Sequence, residues 1–133
     1  MALANANPTH SAQVRVEWVD TDAGGRIHHT AAFRWAEKAE HELLRSLAVE
    51  RLTSFPRRRV EATFHSAAAF GDEIEVQIAL TRRGRSSVQF AWSGHRDSEL
   101  LFDGTTVAVY VDPAGRPTEL PPQLPTGHDQ DRS

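Results

Sequence analysis

Two aspartates one residue apart, Asp20 and Asp22, stand directly before a glycine pair, Gly24-Gly25, and shortly before a histidine pair, His28-His29. The stretch from Asp20 to Trp35 reads DTDAGGRIHHTAAFRW, and a helical apolar period begins at Thr30. Carboxylates in a glycine turn thus precede a helix N-terminus. Such an end carries unpaired backbone N–H groups and about half a positive charge. It can hold a carbonyl oxygen that turns negative in a transition state. A carboxylate is ionised at neutral pH and can attack a carbonyl or activate water. The two together suffice to cleave a reactive acyl bond such as a thioester, with no serine–histidine pair.

Other readings of the same residues fit less well. DTDAGG has acids at the first and third positions of a calcium loop and glycine at the sixth. However, Gly24 stands at the fifth position and Ala31 at the twelfth, where oxygen ligands are required. A zinc site from Asp20, Asp22, His28 and His29 fails because adjacent histidines diverge on a helix or a strand. No metal and no cofactor is expected. Taken singly, Asp22 reads as a turn cap, Gly24-Gly25 as a turn, and each histidine as a surface or capping residue. Their combination is what points to chemistry.

The elements that must position this stretch follow from periodicity. QVRVEW alternates, with Val14, Val16 and Trp18 on one face of a first strand. Ala32, Trp35, Ala36, Ala39, Leu43 and Leu47 recur at spacings of three and four, which predicts a helix of about five turns with a narrow, alanine-rich stripe. Glu37 and Glu40 fall on its polar side and are expected in solvent. Pro56 is expected to end the helix. Four strands follow: one with Val60, Ala62 and Phe64 on a shared face; one with Ile74, Val76, Ile78 and Leu80; one with Val88, Phe90 and Trp92; and one with Val107, Val109 and Val111. A five-stranded antiparallel sheet has one apolar face to cover and a single helix to cover it, so the sheet is expected to wrap around the helix. Its open edges predict pairing with a second copy, as a homodimer or homotetramer.

The rest of the composition excludes more than it assigns. The chain has 133 residues, 39% hydrophobic and 25% charged, with a net charge of −3 and no cysteine. This rules out disulfide scaffolds, thiolate metal sites and cysteine nucleophiles, and it suits a reducing cytoplasm. An acidic balance gives no general attraction to nucleic acid or to a membrane, and no segment reaches the length of a span. Residues 1–12 are expected to form a flexible arm and 13–112 the folded domain. Residues 113–133, with five of the seven prolines, are expected to form an extended tail.

The segment VEWVDTDAGGRIHHTAAFRWAEKAEHELL resembles the signature of the 4-hydroxybenzoyl-CoA thioesterase family of hotdog-fold enzymes, in the branch that holds the Tol-Pal-cluster acyl-CoA thioesterases. ATFHSAAAFGDEIEV and RRGRSSVQF resemble later parts of the same family, so the likeness covers about residues 13–112. It implies an α+β hotdog fold and hydrolysis of an acyl-CoA or acyl-carrier thioester. It further implies that Asp22 is the catalytic carboxylate and that the backbone N–H of His29 polarises the thioester carbonyl. Gly25, His28 and His65 are assigned to substrate contact, and Arg83, Arg85 and Ser86 to the CoA nucleotide. Arg26 and His65 depart from the family's usual apolar or uncharged residues. Two other functions stay open on the residues: a hotdog dehydratase or hydratase using His28 as base, and a non-catalytic acyl-binding dimer.

Overall fold

The alternating and helical periods translate into β1 (Thr9–Arg15), α1 (His29–Ser46), β2 (Arg57–Phe64), β3 (Glu73–Arg83), β4 (Ser87–Arg96) and β5 (Glu99–Val109). The computed structural model describes residues 7–51 and 54–124. All five strands form one antiparallel sheet in the order β1-β3-β4-β5-β2. The short turns make β3–β4 and β4–β5 hairpins, while β1 and β2 flank α1 in sequence and take opposite edges of the sheet. This is the hotdog arrangement that the resemblance implies, with the sheet curled around α1.

The alanine stripe lets the helix approach the sheet closely. Ala31, Ala32, Ala36 and Ala39 are buried, with Trp35, Leu43 and Leu44 filling the larger gaps. Ile74, Val76, Ile78 and Leu80 face them from β3, and Val88, Phe90 and Trp92 from β4. Burying a side chain of this size stabilises the fold by roughly 1.5–3 kcal/mol. An aromatic ladder runs beneath the helix: Trp35 stacks on Phe102 at 6.2 Å, and Trp92 meets Phe102 edge-on at 6.1 Å. Gly104 makes room for Trp92, since a Cβ there would lie 2.2 Å from the Glu61 carbonyl and 2.6 Å from the indole.

Several expectations are corrected. The first strand starts at Thr9, inside the segment expected to be an arm, and it ends before Trp18. The Asp20 carboxylate accepts the Glu17 N–H at 2.9 Å, which closes a 3₁₀ turn over Trp18–Asp20 and swings Trp18 outward to 71% exposure. The helix ends at Ser46, well short of Pro56. Ala48 adopts φ 64° there, and Val49 donates to the Leu44 carbonyl, closing the last turn. In β5 the phase is opposite to the expected one: Thr106, Ala108 and Tyr110 are buried, while Val107, Val109 and Val111 lie on the outer face. Trp92 fixes this register by donating its indole N–H to the Thr106 hydroxyl at 2.9 Å.

The segment expected to be an extended tail is partly packed. Thr118 donates to Tyr110, Leu120 donates to the Arg85 carbonyl, and the Leu120 and Leu124 side chains are buried. Two leucines among the prolines outweigh the composition, because each covers apolar surface that the sheet leaves open. Residues 125–133 of that segment, and 1–6 of the arm, lie outside the described residues.

Candidate active site

The glycine turn is a miniature hairpin. Asp22 donates its N–H to the Arg26 carbonyl at 2.7 Å, Gly25 donates to the Asp22 carbonyl at 3.0 Å, and Thr21 bridges Ile27. Gly25 has φ 82°, the left-handed region in which a side chain is strained. The Asp22 side chain anchors the loop through one oxygen. Oδ1 accepts the Gly24 N–H at 2.8 Å and the Arg26 N–H at 3.3 Å. Oδ2 has no hydrogen bond among the described residues, and the residue is exposed. One carboxylate oxygen thus fixes the group, and the other makes no hydrogen bond among the described residues.

Two residues beyond the hairpin, His28 caps α1. Its Nδ1 accepts the Thr30 N–H at 3.2 Å and lies 2.8 Å from the Thr30 hydroxyl. That engagement weighs against His28 as the free base of a hydratase. The His29 ring stacks on His28 at 4.4 Å. His29 is the first helical residue, so its N–H has no carbonyl one turn back, and it donates to no group among the described residues. Asp22 thus lies in the hairpin that leads into α1, and His29 is the first residue of that helix.

Asp20 holds these parts together. It is 6% exposed, and its Oδ1 accepts from the Arg34 guanidinium at 2.5 Å. The sequence reading missed this pair; Arg34 sits four residues after Thr30, one turn along the helix from the cap. The hairpin is also tied to the β2–β3 crossover, through Ile27 N–H to the Ala68 carbonyl and the Arg26–Ala69 bridge. His65 lies on that crossover. It is exposed, and its Nε2 is 3.5 Å from Asp103.

The arginine turn is elsewhere. The hairpin joins the start of β3, where Gly71 and Asp72 bond Val16, and Arg83 is at the far end of that eleven-residue strand. At about 3.3 Å per residue the separation is roughly 33 Å. A single chain therefore does not bring Arg83, Arg85 and Ser86 to Asp22. Arg83 donates to the Leu124 carbonyl at 2.6 Å, while the Arg85 and Ser86 carbonyls accept from Leu120 and Tyr110.

A cavity of about 410 Å³ opens along α1 beyond the helix start, lined by Phe33, Ala36, Glu37, Glu40, Arg57 and Trp92 among others. Glu40, expected in solvent, is 1% exposed. It accepts from Arg57 at 2.9 Å. The misreading came from counting its charge rather than its angle, which is near those of Ala36 and Leu43 on the wheel. Among the described residues no three acids or histidines converge on a metal position, and no helix is long and apolar enough to cross a membrane.

Comparison with known proteins bears on the fold and on kinship. The thioesterase superfamily profile matches residues 24–102. The acyl-CoA thioester hydrolases YbgC of Escherichia coli and Shigella flexneri are 32% identical over 120 residues, covering 84% of this chain and 89% of theirs. Among solved structures, a probable thioesterase from Bartonella henselae superposes with a TM-score of 0.80 at 20% identity, over 85% of this chain and 99% of that one. A thioesterase from Thermus thermophilus, complexed with coenzyme A and zinc, gives 0.80 at 24% identity over 90% of each chain. The structural likeness speaks for the fold and the sequence likeness for kinship, and on both the chain belongs to the thioesterase superfamily.

Proposed function

We propose that the chain hydrolyses an acyl-CoA thioester to the free acid and thiol, with Asp22 as the carboxylate at the reacting carbon. The observation that carries the reading is the split role of Asp22: Oδ1 is locked into the hairpin and Oδ2 has no hydrogen bond among the described residues, in a hairpin that leads into a helix whose first N–H donates to none of them. As general base, Asp22 takes a proton from water while the water oxygen bonds to the acyl carbon and the C–S bond breaks to thiolate. As nucleophile, it forms an acyl anhydride that water then opens. In both routes the His29 N–H faces the oxygen that becomes negative. Kinship with acyl-CoA thioester hydrolases supports the substrate class. The test is free-thiol release over short, branched, aromatic and long acyl-CoAs; no turnover with any of them favours a non-catalytic acyl binder. A cysteine-free chain suits action in the cytoplasm.

The active unit in this reading is a homodimer at least. β2 pairs with β5 along one side only, and all its residues but Ala62 are exposed, Val60 at 39% and Phe64 at 43%. An open sheet edge that exposes Val60 and Phe64 is a template for pairing with a second chain. Sedimentation at micromolar concentration is expected to give a dimer or tetramer; a fully active monomer contradicts it.

A second copy also restores the reach of the arginine turn. Arginine forks match phosphate oxygens, and CoA carries phosphates at its nucleotide end. The double variant Arg83→Ala/Arg85→Ala is expected to raise KM for an acyl-CoA and leave the same acyl group on pantetheine nearly unchanged. Equal effects on both carriers, or none on either, remove the clamp.

A further inference from the structure

Along α1, His29, Phe33, Ala36 and Glu40 lie on one narrow stripe, because eleven residues make about three full turns. The cavity follows that stripe from Phe33 to Glu40, with Trp92, Val60 and Thr106 as its opposite wall. Phe33 and Trp92 meet edge-to-face at 6.0 Å. An acyl group whose carbonyl is held at the His29 N–H can follow this stripe into the cavity, past Phe33, Ala36, Val60 and Trp92, toward the Glu40–Arg57 pair.

The state of Glu40 is specific. Its side chain is 2% exposed, and only Oε2 is bonded, to Arg57. Oε1 accepts no hydrogen bond among the described residues, yet no fully buried side-chain oxygen there lacks a partner. Oε1 therefore opens onto the cavity that the residue lines. Burial pushes the Glu40 carboxyl above its ordinary value, and the Arg57 hydrogen bond pulls it back. Arg57 is already engaged, with Glu37 3.5 Å from its other nitrogen. Arg34 also lines the cavity, but the buried Asp20 carboxylate holds it, so Glu37 and Glu40 share the Arg57 guanidinium.

We infer that Glu40 reads the far end of the acyl group, so that the cavity favours a medium-length acyl chain whose distal end carries a hydrogen-bond donor, a hydroxyl or an amine. The inference rests on the thioesterase reading of Asp22. Eleven residues of helix advance roughly 16 Å. The glutamate side chain leans several ångströms back toward the N-terminus. About 10 Å remains between the carbonyl and the donor, the span of roughly eight extended carbons. A plain alkyl end covers Oε1 without bonding it, which leaves a buried acceptor unsatisfied. A terminal carboxylate meets two like charges.

The test measures kcat/KM by thiol release with octanoyl-CoA, its ω-hydroxy and ω-amino counterparts, and the mono-CoA thioester of octanedioic acid. A hydrogen bond to a buried charged group corresponds to about tenfold to hundredfold in favour of a donor. The hydroxy or amino substrate is expected to exceed octanoyl by that factor, with the dioic substrate slowest. Glu40→Leu/Arg57→Met replaces the ion pair by apolar side chains, a change that commonly preserves stability. In that variant octanoyl is expected to become the best of the four. Octanoyl equal to or above both donors in the unmodified chain overturns the inference, as does a dioic preference or an unchanged ranking in the double variant. The unmodified chain carries the test even if the variant does not fold. Butyryl-CoA separates the two levels: turnover of butyryl-CoA with no donor preference overturns this inference alone, while no turnover of any thioester overturns the thioesterase reading and this one with it.

Discussion

Asp22→Asn is expected to lower kcat on the best acyl-CoA by about 10²–10⁴-fold and to leave KM nearly unchanged. Asparagine keeps an oxygen where Oδ1 accepts from Gly24 at 2.8 Å, so the hairpin retains its shape. What disappears is the negative charge and the basicity of Oδ2. Loss at the reacting carbon without loss of binding is the signature of a group that acts in the transition state. Steady-state kinetics, with a melting curve to show that the fold is intact, decide the matter. A kcat close to that of the unmodified chain removes Asp22 from the chemistry. Single turnover in heavy-oxygen water separates the two routes, since only the anhydride route can leave label in the Asp22 carboxyl.

The helix and the position of the hairpin were legible because each rests on local rules. A three-four period fixes the buried face of α1, and a glycine able to adopt φ 82° turns the chain wherever it stands. What failed depended on partners distant in sequence. Trp18 continued an alternating pattern but was turned out by the Asp20 carboxylate binding the Glu17 N–H. The phase of β5 was set by Trp92, fourteen residues before Thr106. Leu120 and Leu124 looked like residues of a proline-rich tail until the sheet surface that they cover was known. Glu40 is the most instructive case. Charge alone put it in solvent, yet its helical angle put it in the core, and Arg57 made that burial tolerable. In the candidate site, Asp22, Gly25, His28 and His29 were readable as one contiguous stretch. The Asp20–Arg34 tie and the cavity along α1 were not, because both are assembled from side chains one or more helical turns apart.

His29→Pro is expected to lower kcat by about 10²–10³-fold, and His29→Ala by less than about tenfold. The comparison isolates a backbone atom that ordinary substitution leaves in place. Proline is well suited to the first helical position, where the missing N–H has no intrahelical acceptor. It also requires an extended residue before it, and His28 already has φ −71° and ψ 141°. The cap is unaffected in principle, because Thr30, not His29, donates to His28 Nδ1. Both variants lose the imidazole that stacks on His28 at 4.4 Å, so the ring's contribution cancels between them. The remaining difference is the N–H, together with the ring carbon that takes its place, and both act at the position of the carbonyl oxygen. Circular dichroism and melting curves should show the helix kept in each. If proline falls no further than alanine, the oxygen is held by another donor. If alanine falls as far as proline, the imidazole is the active group and the helix start only positions it. A large gap between the two, on an intact helix, assigns the stabilisation to the backbone N–H of His29.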